Sequence, residues 1–463
     1  MMPRFYLTLR LMALLVAGGL SACSAPLSTL PEAALEQKAQ AGDAQAQYVL
    51  AGKLSARGEY GRSLALMKQV ASQSAASDAS RSTRADAARQ AGDGYHTGLG
   101  EPRNETLARQ WWTRASSLGN AQASMNLAGH CQAAHGASPV ADCISQFETA
   151  ARQGNAQAQL MLARWYQTQP EGEKTALSWL QKAAAQREPA ALALMAHRHE
   201  TGNGVDKSED IARREYRHSA ALGNPQAQRW MAEHSDGTER MAWYQKAAEG
   251  GDVTAQRWLA QTYLSGNGVA QNQTEGMGWL KRAVDKGDAR AQYLYSQYQS
   301  TDEMRLHWLT LSAKGGDLQA ARALAGWYEK QGDEVRARSA WQQLAARGDA
   351  EGRYHYGDML RLGLGGPHDY TQAFTQYRLS AMAGNRMAQY RAGMMSQDGL
   401  GLPRNRIQAY AWYSLAATEN AKDAVDALNA LEALLKPDEI KAAQKLAREW
   451  SLRIAQGQNE VAR

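Results

Sequence analysis

Residues 251–283 read GDVTAQRWLAQTYLSGNGVAQNQTEGMGWLKRA, and they contain one whole repeating unit. Asp252 supplies a side-chain oxygen for the orphan amides of a helix start, and Gly251 suits the close of the helix before it. Gly266 and Gly268 read as the turn that follows. In the second helix Trp279 and Ala283 lie four apart and share a face, so a bulky knob sits over a small residue that lets a neighbouring helix approach. The unit is a helical hairpin.

Both marks recur along the chain. The Gly-Asp/Asn pair returns at Gly42-Asp43, Gly119-Asn120, Gly154-Asn155, Gly223-Asn224, Gly287-Asp288, Gly316-Asp317, Gly348-Asp349 and Gly384-Asn385. The large-then-small pair occurs at Met67/Ala71, Trp111/Ala115, Phe147/Ala151, Trp179/Ala183, Tyr216/Ala220, Trp243/Ala247, Trp279/Ala283, Trp308/Ser312, Trp341/Ala345, Tyr377/Ala381 and Trp412/Ala416. About eleven units are therefore expected over residues 41–419. The polar stretch from Ser72 to Thr83 reads as an inserted loop, and the shortest units lack the glycine turn. Residues 420–463 depart from the pattern; Lys436-Pro437-Asp438-Glu439-Ile440 starts a charged amphipathic helix expected to run to about Trp450, a C-terminal cap for a stacked array.

Composition agrees with long helices: there are 3 Phe against 13 Trp and 19 Tyr, with 11 Pro in 463 residues. The formal charge is +6, and its lysines and arginines are interspersed with acids, without the block that marks a nucleic-acid surface. The fold class expected is all-α.

Units such as Gly251-Asp252-Val253-Thr254-Ala255-Gln256, continued by Tyr263, Gly266-Asn267-Gly268-Val269 and Trp279-Leu280-Lys281-Arg282-Ala283, resemble Sel1-like repeats, relatives of tetratricopeptide repeats. The resemblance implies antiparallel helix pairs stacked into a right-handed superhelical solenoid with a concave binding surface.

The first residues give an address. Arg4 and Arg10 precede an apolar run from Leu11 to Leu20, too short for a bilayer span of about 20 residues, so residues 1–22 read as a signal peptide. Leu20-Ser21-Ala22-Cys23 is similar to a bacterial lipobox. That likeness implies acylation of Cys23 as the first mature residue, with residues 23–40 as a tether. Ser24, where an Asp would signal inner-membrane retention, implies an outer-membrane, periplasm-facing protein. Cleavage removes two arginines and no acid, so the charge falls from +6 to +4.

Cys131 and Cys143, twelve apart, are expected to pair in an oxidising compartment, the alternative being two buried thiols. Some cysteine-rich Sel1-like proteins staple their hairpins similarly. His130 and His135 nearby raise a metal reading, but their spacing fits no standard zinc pattern and no metal or cofactor is expected. His197 and His199 face different sides of a helix. The pairs Gly98/Gly100, Gly202/Gly204, Gly266/Gly268, Gly363/Gly365 and Gly399/Gly401 lack the strand and spacing of a nucleotide loop and read as repeat turns. No Ser-x-x-Lys occurs, which removes the penicillin-recognising nucleophile.

Most aromatic residues occupy the repeat's own core positions. Trp230 and Trp258 instead fill the place where the family pattern has Asn, and Met161, Leu194 and Leu294 hold the equivalent places. The two indoles are expected side by side as anchors for a partner, against the alternative that they simply pack together. The function expected is a non-enzymatic protein–protein interaction scaffold or adaptor. Its partners would be envelope proteins, with an exopolysaccharide export machine as the specific case, because anchor and repeats together are similar to the alginate-export scaffold lipoproteins. The competing class is a periplasmic immunity or envelope-regulatory binder. An enzyme acting on peptidoglycan or a beta-lactam is a remote third.

Overall fold

Each Gly-Asp/Asn pair is a helix boundary, and the reason is visible in the hydrogen bonds. Asp252 Oδ1 accepts the amide of Ala255 at 2.7 Å, Asp288 that of Ala291 at 2.6 Å and Asn155 that of Ala158 at 2.8 Å. Gly251, at φ +94°, turns the chain through left-handed backbone that a side chain would strain. Arg187 takes this turn at φ 63° without being glycine, and Glu188 then serves as the cap.

The computed structural model describes residues 26–75, 79–135, 141–417 and 421–461. Twenty-five α-helices follow one another there, with no strand among the described residues. They divide into two compact units, residues 1–227 and 228–463, with the division inside the helix Pro225–Glu233. Each unit is a run of helices packed consecutively on their neighbours.

In the first unit the helix Glu32–Gln40 packs on Ala44–Ala56, so the tether expected over residues 23–40 is helical across its later part. Four complete pairs follow from Arg81 to Ala221, after the pair Ala44–Ala56 and Tyr60–Ser72. The second unit repeats the hairpin from Val253 to Ala416, then closes with Lys422–Glu432 and Pro437–Val461. That last helix runs beyond the Trp450 expected as its end. It caps the array by stacking Trp450 on Trp412, centroids 4.0 Å apart, and by burying Ala443 with Tyr410 and Leu431.

The core follows the large-then-small pattern with one correction. Phe147, Tyr377 and Trp412 are buried as expected, but at Trp111, Trp179, Trp243 and Trp308 the next residue is the one sealed in: Trp112, Leu180, Tyr244 and Leu309. A bulky pair offers two candidate knobs one position, or about 100°, apart, and the register of the neighbouring helix selects between them. Full burial of such a side chain stabilises by about 1.5–3 kcal/mol.

Small residues opposite make room. A Cβ on Gly92 would lie 2.4 Å from the Trp112 ring, and one on Gly393 would lie 2.6 Å from that of Tyr413. Buried glutamines fasten the hairpins further: Gln256 Nε2 donates to the carbonyl of Ala248 at 2.9 Å, and Gln389 Nε2 to that of Ala381 at 3.1 Å. The five sequence turns Gly98, Gly202, Gly266, Gly363 and Gly399 each end a first helix in left-handed conformation.

Asp252 also receives Arg229 at 3.3 Å. Replacing Asp252 with Ala removes both a cap and an ion-pair partner, and is expected to destabilise the second unit by about 1–2 kcal/mol. Chemical denaturation of the D252A variant measures this; an unchanged midpoint would contradict the role.

Candidate partner-binding site

The place six residues after the N-cap recurs in five successive first helices as Met161, Leu194, Trp230, Trp258 and Leu294, all half-buried. In the first unit Met161 packs against the cluster around Phe147 and Leu162, and Leu194 against Leu180 and Met195. In the second unit Trp258 lies flat on Tyr244 of the preceding helix, centroids 3.9 Å apart and planes 13° apart. Trp230 stacks on His234, just past the end of its own helix, at 3.8 Å. The two indoles therefore have different stacking partners.

Leu294 sits beside a hollow of about 270 Å³ that Leu264, Leu280, Gln261 and Tyr298 also line. The hollow exists because the helix Ala289–Ser296 has 8 residues where the first helices on either side, Val253–Ser265 and Leu318–Lys330, have 13. Tyr298, past its end, is 47% exposed.

Cys131 and Cys143 are disulfide-bonded with Cα atoms 5.7 Å apart, joining the helix Ala121–His135 to Ala141–Arg152. The side chain of His135 and the whole of Cys23 lie outside the described residues. His197 lies 3.4 Å from Glu200 at the surface, while His199 lies 2.8 Å from Glu215, so the two histidines engage separate carboxylates. Among the described residues no group of three or more His, Cys, Asp or Glu is placed to hold a metal ion, and no helix is long and apolar enough to cross a membrane.

The first unit also contains a pocket that the sequence did not announce. It has a volume of about 610 Å³ and lies between Arg81–Thr97, Glu105–Ser117 and Ala121–His135. Asp93 Oδ1 accepts from Trp112 Nε1 and from Asn126 Nδ2, each at 2.9 Å, and Arg89 donates to its other oxygen. At the rim Glu105 is bonded by Arg103 at 2.7 Å and lies 3.0 Å from His96 Nδ1 and 3.5 Å from His130 Nε2. The His96 hydrogen bond and then that of Arg103 hold the Glu105 carboxyl below its ordinary range.

Behind this pocket the same network continues. Tyr48 donates to Asp86 at 2.5 Å, and burial followed by that bond pushes its hydroxyl up to about 12. Asn126 stands at the register place of Trp230 and Trp258, so the repeat pattern pointed to this face. The pairing of His96, Glu105 and His130 joins three helices and had no sequence signal.

A family model described as the Sel1 repeat matches residues 85–120, 156–187, 189–224, 225–252, 253–288, 350–385 and 386–420, together more than half of the chain. Among solved structures, a protective antigen of uropathogenic Escherichia coli strains, described as displaying an SLR fold, is similar with a TM-score of 0.70 and 24% identity. That match covers 93% of this chain and 97% of that one. A Sel1 repeat protein from Oxalobacter formigenes matches with a TM-score of 0.46 and 22% identity, over 63% of this chain and 91% of that one. Comparison with curated proteins gives no significant sequence match.

The disulfide closes a short loop within one hairpin. Replacing both cysteines with Ala is expected to cost the first unit about 3 kcal/mol. Thermal unfolding of the double variant beside the oxidised protein checks this, and equal midpoints would refute it.

Proposed function

Since the chain belongs to the Sel1 repeat family, whose members generally serve as protein–protein interaction scaffolds, we propose that it is a non-enzymatic adaptor tethered to the outer membrane through a lipid on Cys23. The observation that carries the reading is the recurrence of a half-buried apolar or aromatic side chain at one register place in five successive first helices. Met161 and Leu194 in the first unit, and Trp230, Trp258 and Leu294 in the second, each offer shallow anchoring within their own unit, and large apolar side chains in partly covered sites are where binding energy concentrates. The basic and acidic side chains around it are interspersed, which suits protein partners more than a polyanion.

The likeness of Leu20-Ser21-Ala22-Cys23 to a lipobox supports the lipid anchor in this reading. Several acyl chains, each methylene contributing about 0.8 kcal/mol on burial, would hold the body at the membrane durably. Anchor and repeats together favour the holding of envelope proteins near one another, and assembly of an exopolysaccharide export machine is the specific case we carry forward.

Two measurements test this reading. Labelled palmitate is expected to enter the wild-type chain and not the Cys23→Ala variant, and the wild type is expected in the outer-membrane fraction; an unlabelled, soluble wild type would refute the anchor. Affinity capture from membranes is expected to recover defined envelope proteins with the wild type, and to lose most of them when Trp258 and Leu294 are replaced with Ala while the unfolding midpoint holds within a few degrees. Unchanged recovery would remove these residues from the binding face.

A further inference from the structure

We propose that one edge of the second unit, where its last hairpins turn, rests on the headgroups of an anionic phospholipid bilayer. The inference adds to the tethered reading without depending on a lipid at Cys23. Two observations carry it, an uneven charge and a line of uncovered apolar side chains.

Residues 370–417 contain five arginines and one acid, Asp398, a net of +4. The whole chain after cleavage also carries +4, so the rest of it is balanced. Arg391 is half-buried, 3.4 Å from Asp358. Arg378, Arg386, Arg404 and Arg406 are exposed and meet no carboxylate among the described residues. Arg404 and Arg406 stand together where the turn after Arg386–Asp398 enters the helix Arg406–Ala416. An anionic lipid surface attracts such charges when they lie within about a Debye length of it.

The same edge carries Val335, Leu362, Tyr370 and Leu400, with 68%, 45%, 39% and 37% of their surfaces exposed. They belong together because each glycine turn leans on an earlier helix start. Gly365 backs onto the carbonyl of Glu334, and Gly401 onto that of Tyr370, where a Cβ would collide. Gly365 N donates to Glu334 Oε2 at 3.2 Å, and the His368 ring stacks on that of Tyr370 with centroids 5.8 Å apart. Three acids at these turns are spent within the fold: Asp333 accepts Arg336, Glu334 accepts Gly365, and Asp369 caps its own helix at Gln372. Asp398 is left to oppose Arg404 and Arg406.

Lipid fits this edge better than a folded partner. Protein anchors seat in recesses, whereas these four side chains project from turns and helix ends, and none lines the hollow beside Leu294. A bilayer interface yields around a projecting tip. It takes leucine and valine below the headgroups and a tyrosine ring at their level, while arginine lays its stem along the surface with its charge in water.

Co-sedimentation of the mature chain from Ser24, which carries no lipid, tests the edge by itself. It is expected to bind vesicles of phosphatidylglycerol and phosphatidylcholine in equal parts, and to bind phosphatidylcholine alone at least about tenfold more weakly. On the mixed vesicles R404Q/R406Q is expected to lose about tenfold, and V335S/L400S a similar factor, both with the unfolding midpoint unchanged. R378Q/R386Q removes equal charge from the same hairpins, but Arg386 lies about 20 Å away, at the other end of its 13-residue helix. That variant is expected to bind within about twofold of the wild type. The proposal is overturned if the wild type does not prefer phosphatidylglycerol, if R378Q/R386Q loses as much as R404Q/R406Q, or if either edge variant binds like the wild type. Because this chain lacks the lipid, each result stands apart from the palmitate test of Cys23.

Discussion

One hydrogen bond recurs through this protein and the rest of the structure depends on it: a side-chain oxygen, of Asp or Asn at most hairpins and of Ser80 or Glu188 at two, accepts the amide three residues on, at the start of a first helix. Without it the first turn would expose orphan amides at a place where helices crowd together. With it, and with a left-handed glycine before it, the chain can end one helix and begin another within about three residues. Short connections keep consecutive helices adjacent, and adjacency is what allows an Ala-rich face to be buried. Gly251-Asp252 and Gly316-Asp317 do the same work in different hairpins because the geometry admits few other residues.

The second unit adds a further use for the same carboxylate. Arg257 reaches Asp288 at 2.8 Å, and Arg322 reaches Asp349, as Arg229 reaches Asp252. Each guanidinium stands five residues after one cap and contacts the cap of the next hairpin, so the interaction that starts a helix also ties it to its neighbour. Asp349 is itself nearly buried, where a charge-assisted bond gains from the lower dielectric and where a missing partner would be costly. In the first unit the corresponding places hold Tyr48, Met125, Leu160 and Ala193, and Asn replaces Asp at positions 120 and 155. Its polar contacts gather instead around Asp86 and Asp93, beside the pocket.

Departures from the repeat are where the candidate sites lie. The truncated helix Ala289–Ser296 opens the hollow beside Leu294, and the small residues Gly129, Ala133 and Ala134 open the pocket over Trp112. A regular array buries its faces against identical neighbours and leaves little room. Irregular hairpins break that match, and residues 121–155 and 289–349, which contain both, fall outside the Sel1 matches.

The sequence by itself determined the all-helical hairpins and where most of their first helices start, because those rest on local chemistry: a cap acts across three residues and a helix face repeats every three or four. It also marked the place shared by Met161, Leu194, Trp230, Trp258 and Leu294. Only the tertiary structure decided that Trp112 and Tyr244 are buried ahead of Trp111 and Trp243, that Trp258 lies on Tyr244 while Trp230 lies on His234, and that His96, Glu105 and His130 converge. Apart from the Trp230–His234 stack, four residues apart, those outcomes depend on the approach of one helix to another, and spacing within a single helix does not encode that approach.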